Sequence, residues 1–378
     1  MEPDDSSPII GAPPKPRARF RWVGVLLGLG VLGWIWWHGG KVRQGTTHQA
    51  SLKLSSTNPP VLLETKKPGS NGPRQEIKAP APLDVASRNV ASLDGHEQRV
   101  LEAQLALIAQ GLSPGSLDGV IGPQTRAALR AFQRKEDLPA TGELDAATQG
   151  RLILAAPPLS DYQVTSNDLA RLLPLGTTWL SKSQQERLDY ETLLELVAEK
   201  SQAHPNLIRR LNPDLDWSNV VAGAIVKVPN AESPQRQERA AFVKILLAER
   251  LLQAFDEETN LLAQFPCSIA QRVDKRPVGE LHVEVTAANP NYTFNPEVFP
   301  ESAEARELGR KLILPPGPNN PVGTVWIGLD RPGYGIHGTP RPEEVGRTES
   351  HGCFRLANWN AEHLFQLVRI GTPVFVEP

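Results

Sequence analysis

Two short segments near the C-terminus hold the residue types suited to covalent chemistry. One is Ser350-His351-Gly352-Cys353-Phe354-Arg355-Leu356, and the other, upstream, is Tyr334-Gly335-Ile336-His337-Gly338-Thr339. A cysteine attacks as its thiolate, and a free thiol has a pKa of ~8.5, so a nucleophilic cysteine needs a base or a cation beside it. His337 and His351 are candidates for that role, and Arg355 adds positive charge two residues beyond Cys353. Gly352 leaves space for a substrate next to the sulfur. Backbone N–H groups around Cys353 are expected near the start of a following helix, where they would stabilise an oxyanion. Three readings without catalysis fit the same residues. Cys353 can be a buried core thiol, it can pair with Cys267, the other cysteine of the chain, or a His–Cys cluster with His363 can hold zinc, although no recognised ligand spacing is present.

The elements that must position these residues are mainly strands. Leu281, Val283 and Val285 alternate with His282, Glu284 and Thr286, the period-2 pattern of a half-buried strand. Thr324 to Leu329 and Pro373 to Val376 are further strand candidates, with Gly and Pro clusters between the runs. A helix is predicted from about Asn358 to Arg369, capped by Asn358 or Asn360 and closed by Gly371. Residues 237–378 therefore read as a mainly-β domain.

Upstream, the composition sets limits. At 378 residues the chain is long enough for two or three domains. Forty basic against forty-two acidic residues leave a formal charge of -2, which argues against a nucleic-acid partner. Two cysteines exclude a disulfide scaffold and a four-cysteine metal site. From Trp22 to Trp37 the chain carries no charge, tryptophans sit at both ends of the run, and Lys15, Arg17, Arg19 and Arg21 precede it. The expectation is a single-pass anchor over 22–38 with residues 1–21 cytoplasmic, in preference to a cleaved signal peptide, which would end in small residues. Residues 39–96 mix Pro, Ser, Gly and Lys without apolar periodicity and read as a linker.

Two modules are expected between linker and β-domain. Over 97–157, Val100, Leu101, Leu105 and Ile108 mark one helix, Thr125 to Lys135 a second, and Leu144, Ala147 and Leu152 a third, separated by the Asp118-Gly119 to Gly122-Pro123 and Leu138-Pro139 to Gly142 turns. Over 160–230, Asp161 to Val164 reads as a strand, Tyr190 to Ala198 and Asn206 to Leu211 as helices, and Val221 to Pro229 as a closing strand.

These segments carry resemblances. The turn residues of the first module, with Phe132-Gln133, Thr141-Gly142 and Leu144-Asp145, resemble the peptidoglycan-binding type 1 domain, an all-α three-helix fold. The second, with Leu211-Asn212, Gly223 and Val228-Pro229, is similar to the later part of a LysM domain, an α+β fold that binds N-acetylglucosamine-containing glycans; an insertion of about 20 residues follows its opening strand. The His337-Gly338-Thr339 segment and then Ser350-His351-Gly352-Cys353 with Arg355, twelve residues (Gly338 to Glu349) separating His337 from Ser350, resemble the L,D-transpeptidase (YkuD-like) catalytic domain over about 240–378. Phe354, Arg276 and Ser268-Ile269-Ala270 depart from its usual pattern, and 286–311 reads as an insertion.

The last resemblance implies acyl transfer without metal or organic cofactor. Cys353 would open the bond to the terminal D-alanine of a tetrapeptide stem, and His337, oriented by the Gly338 carbonyl, would serve as base and then acid. His351, Gly352 and Ser350 would shape the oxyanion loop, and Arg355 would meet a substrate carboxylate or steady the loop. The implied partners are the peptidoglycan stem donor, an amine acceptor and glycan strands, with the membrane held through the N-terminal helix and the catalytic part in the periplasm or extracytoplasmic wall. An L,D-carboxypeptidase on the same stems and a non-catalytic wall anchor are the alternative readings.

Overall fold

The computed structural model describes residues 93–378 apart from 235–237, 300–301, 348–349 and 351. The expected cytoplasmic tail, membrane anchor and nearly all of the linker lie outside the described residues, as does His351. Among the described residues no helix is long and apolar enough to cross a membrane.

The described residues begin with three helices, α1 (Gly95–Ala109), α2 (Pro123–Lys135) and α3 (Ala146–Arg151). Asp94 caps α1 by accepting from the His96 and Glu97 backbone N–H groups, and Pro123 opens α2, where no N–H is needed. Phe132 packs with Leu107, Leu112, Ala128 and Leu129. Its neighbour Gln133 is fully buried and ties the third helix down, accepting from Gly142 N at 2.8 Å and donating to Thr148 Oγ1 at 2.9 Å. The Phe-Gln pair is thus a structural staple.

Next come β1 (Leu159–Gln163), α4 (Ser166–Ala170), α5 (Trp179–Ser183), α6 (Leu193–Lys200), α7 (Pro205–Leu211) and β2 (Ile225–Pro229). Strands β1 and β2 pair antiparallel with Tyr162 opposite Val226. The helix predicted over 190–198 begins three residues later, at Leu193 behind the capping Thr192, and the one predicted over 206–211 begins one residue earlier, at Pro205 behind the capping His204. Leu101, Leu105, Ile108 and Leu117 of the first module share one core with Leu196, Ile208 and Val226 of the second, so the two are packed as a pair.

The remainder is built on ten strands: β3 (Phe242–Leu246), β4 (Leu251–Phe255), β5 (Leu261–Pro266), β6 (Gly279–Ala288), β7 (Tyr292–Phe294), then α8 (Ala303–Leu308), β8 (Leu312–Leu314), β9 (Val325–Leu329), β10 (Gly335–His337), β11 (Phe354–Arg355), α9 (Asn358–Leu367) and β12 (Pro373–Glu377). Eight form one sheet in the order β11-β10-β9-β6-β12-β3-β4-β5, and β7 pairs with β8 separately. The main core contains Val243, Leu252, Ile327, Ile336, Phe354, Leu364 and Val374.

Two contacts fix the earlier modules on this sheet. The backbone of Gly111–Ser113 pairs with Gln264 of the edge strand β5, through Gln264 N to Gly111 O and Ser113 N to Gln264 O, each 2.9 Å, covering an edge that would otherwise be open. Gly111 is left-handed (φ 81°), and a Cβ there would lie 2.5 Å from Leu262 O, so glycine is required. On the other side, Leu188 exchanges backbone hydrogen bonds with Pro316 and Asn319. Around it the insertions of the second module and of the β-domain close on each other, Trp179 stacking on Phe294 with centroids 4.5 Å apart.

Candidate active site

Strands β10 and β11 run parallel, with Ile336 opposite Phe354 and His337 opposite Arg355. Ile336 and Phe354 point into the core. Alternation along a strand therefore turns His337, Arg355 and the preceding residue Cys353 to the opposite face. Cys353 comes level with Gly335, whose backbone N–H interacts with its sulfur. Thiol and imidazole thus stand on neighbouring strands, one pleat apart, on one face.

The protonation of His337 follows from its partner. Its Nδ1 lies 2.6 Å from Gly338 O, and a carbonyl oxygen only accepts, so Nδ1 carries the hydrogen. In the neutral ring Nε2 is then the free base. Burial, with Arg355 adding repulsion, holds the imidazole down to about 4, and the Gly338 hydrogen bond opposes this. Trp326 stacks on the ring, centroids 5.7 Å apart.

Cys353 is half-buried and free, and burial pushes its thiol up to about 11, with Gly335 and Arg355 pulling it part of the way back. Burial thus opposes the thiolate that the cationic neighbours favour, and it favours the neutral form of His337 as well. The thiol also points at Gly333 O, 3.4 Å away.

Ser350 folds the loop between these strands. Its hydroxyl donates to Cys353 O at 2.5 Å and accepts from Gly352 N at 3.3 Å. Arg355 is embedded in the sheet, its backbone exchanging hydrogen bonds of 3.0 and 2.9 Å with Ser268. The structure corrects one expectation: β11 separates Cys353 from α9, so the N–H groups at the thiol are not those of a helix N-terminus. Among the described residues no cluster of three or more possible metal ligands occurs, Cys267 is free and buried, and His363 packs edge-on against Phe265, centroids 5.4 Å apart.

Asn358, read from the sequence only as a helix cap, is the residue that holds the histidine segment. It is fully buried, and its Oδ1 accepts from Thr339 N at 3.0 Å and Thr324 N at 3.3 Å. A Cβ on Gly338 would sit 2.1 Å from that oxygen. Gly338→Ala is expected to cost on the order of 1–3 kcal/mol of stability, through overpacking, and to displace His337. Thermal unfolding beside thiol-alkylation rates would check this; an unchanged Tm with unchanged reactivity would contradict it.

A thiol and an imidazole of defined tautomer stand on one face of an antiparallel-dominated sheet, an arrangement suited to nucleophilic chemistry at Cys353. Residues 240–376 match the model described as the YkuD L,D-transpeptidase catalytic domain, and residues 96–152 match the model described as "Putative peptidoglycan binding domain". Similar proteins include "Putative L,D-transpeptidase YqjB" of Bacillus subtilis, 40% identical over 27% of this chain and 52% of its own length. "Probable L,D-transpeptidase YbiS" of Escherichia coli is 30% identical over 48% of this chain and 58% of that protein. "Putative L,D-transpeptidase YkuD" of Bacillus licheniformis is 24% identical over 49% and 93% respectively. The chain thus spans little more than half the length of the first and of the Escherichia coli relative.

Proposed function

We propose that the protein is an L,D-transpeptidase of peptidoglycan. The reading rests chiefly on Cys353, just before β11, and the His337 base of β10 lying on one face of the sheet, in a segment that matches that family's model. Cys353 attacks the carbonyl that precedes the terminal D-alanine of a tetrapeptide stem, and its proton passes to His337 Nε2. The C–N bond then breaks, D-alanine leaves as an amine with that proton, and a thioester remains. An acceptor amine attacks the thioester and gives its proton to Nε2. The departing sulfur recovers it as the new amide forms. The imidazolium in between is stabilised by the Gly338 carbonyl. His351, with the backbone at Gly352, is assigned to the oxyanion loop that Ser350 braces, and Arg355 to steadying that loop or meeting a carboxylate.

The remaining parts serve retention at the wall. The three-helix module binds peptidoglycan. The second module is assigned as LysM-like, supported by the antiparallel pairing of β1 and β2 and by α6 and α7 leading into β2, with α4 and α5 as additional helices after β1. The uncharged run Trp22 to Trp37 is assigned as a membrane anchor that leaves the catalytic part outside the cytoplasm.

Incubating the full chain with a disaccharide-tetrapeptide is expected to give a mass adduct equal to the stem minus D-alanine, together with cross-linked dimer. Adduct with tripeptide alone would make water the acceptor and the protein a carboxypeptidase. Neither adduct nor product from a folded, reduced protein would overturn the enzymatic reading in favour of a wall anchor.

A further inference from the structure

The peptide plane that orients the imidazole is itself held from outside the catalytic domain. Gly338 C=O, which accepts His337 Nδ1–H, belongs to the same peptide unit as Thr339 N–H, which donates to Asn358 Oδ1. The other end of that amide, Asn358 Nδ2, donates to Glu199 Oε1 at 3.0 Å and to Pro318 O at 3.3 Å. Both ends of the Asn358 amide are thereby saturated, and only one flip satisfies the two N–H donors and the Pro318 acceptor. Glu199 lies on α6, in the second module, 159 residues from Asn358. Its Oε1 also accepts from the Tyr190 hydroxyl at 3.4 Å.

We propose that Glu199 is a positioning residue for the catalytic base, acting through Asn358 and the Gly338–Thr339 peptide, so that the second module is part of the active-site scaffold as well as a wall-binding element. Four groups in series, carboxyl, amide, peptide and imidazole, are aligned donor to acceptor, and such chains polarise one another. If the Asn358 amide turns, Thr339 N–H loses its acceptor, the peptide plane is free to rotate, and Nδ1–H loses the carbonyl that fixes the ring on the face it shares with Cys353. Burial pushes the carboxyl up to about 8; Glu195 on its own helix and Glu362 on α9 add to this, and the hydrogen bonds from Asn358 and Tyr190 oppose it. It lines a cavity of about 350 Å³ between α6 and α9, together with Lys200, His363 and Trp359. Packing alone would not require this arrangement: an apolar side chain at 199 would fill the same space and leave Asn358 Nδ2 with one partner.

The inference rests on the assignment of His337 as base to Cys353, and its test uses thiol chemistry, not transfer, so that a failure of the proposed transpeptidase activity is separate from a failure of the relay. The rate of Cys353 alkylation by iodoacetamide is measured against pH on the full chain by intact mass, with Cys353→Ala as the blank for Cys267. Glu199→Ala is expected to slow alkylation at pH 7 about tenfold and to raise the pH midpoint by about one unit, since the thiol loses its aimed base. Glu199→Gln, which keeps an acceptor for Asn358, is expected to restore most of the rate. Glu199→Leu, which fills the same space and offers Asn358 no acceptor, is expected to behave like Glu199→Ala, and it serves if Glu199→Ala fails to fold. Wild-type rate and midpoint in a folded Glu199→Ala or Glu199→Leu would overturn the proposal. So would Glu199→Gln falling as far as alanine at an unchanged Tm, because the loss would then not follow the acceptor.

Discussion

Cys353→Ala is expected to abolish adduct formation with a tetrapeptide stem and to lower D-alanine release by at least ~10³-fold, since no other route to the thioester exists. Cys267 cannot substitute. It is fully buried in the main core, and burial pushes its thiol up to about 12. The fold is expected to survive, because Cys353 is half-buried at the edge of the sheet and its removal leaves no large cavity. The measurement is intact mass and released D-alanine from wild type and variant at equal concentration. Residual turnover within about tenfold of wild type, with Tm preserved, would remove Cys353 from the nucleophile's role.

The second large effect concerns His337. His337→Ala is expected to lower kcat by about 10²–10⁴-fold, the range general-base loss usually produces, with a smaller change in KM. Its pH behaviour gives a sharper signature. The folded imidazole is held down to about 4, so the neutral base is present throughout the range from pH 5 to 8. The acid limb of kcat/KM should therefore fall near pH 4–5, below the ~6.5 of a free histidine. Stability carries the same sign. Between the folded value and ~6.5 the unfolded chain binds a proton that the folded chain does not, so this group costs stability as pH falls through that window. His337→Gln should flatten that part of the Tm–pH curve while leaving the enzyme slow. An acid limb at 6.5, or a His337→Gln curve parallel to wild type, would contradict the buried neutral imidazole.

The two site segments were legible because the chemistry sits in local motifs, and because the strands around them alternate cleanly. Strand β6 was expected over 281–286 and runs from 279 to 288, and α9 was expected from 358 and begins there. The three helices of the first module were legible from Pro123 and the turn glycines, whose backbone preferences act within a few residues. What the pattern did not convey was the state of the thiol. Arg355 and two histidines suggest a thiolate, but charge proximity along the chain says nothing about desolvation, and burial outweighs the cations at Cys353.

Glu199 and the role of Asn358 were invisible for a related reason. Neither belongs to a motif in which spacing implies chemistry, and their contact joins α6 to α9 across the fold. The same holds for Trp179, whose stacking on Phe294 links two segments that each read as an insertion.

By itself, then, the sequence determined the residue types, the order of the modules and the local turns and strands that carry His337 and Cys353, since these follow from short-range periodicity and steric preference. Only the tertiary structure decided which tautomer His337 holds, how far Cys353 is desolvated, and that a carboxyl of the second module reaches the Asn358 amide. Those properties depend on burial and on hydrogen bonds closed between distant segments, and distance along the chain does not encode either.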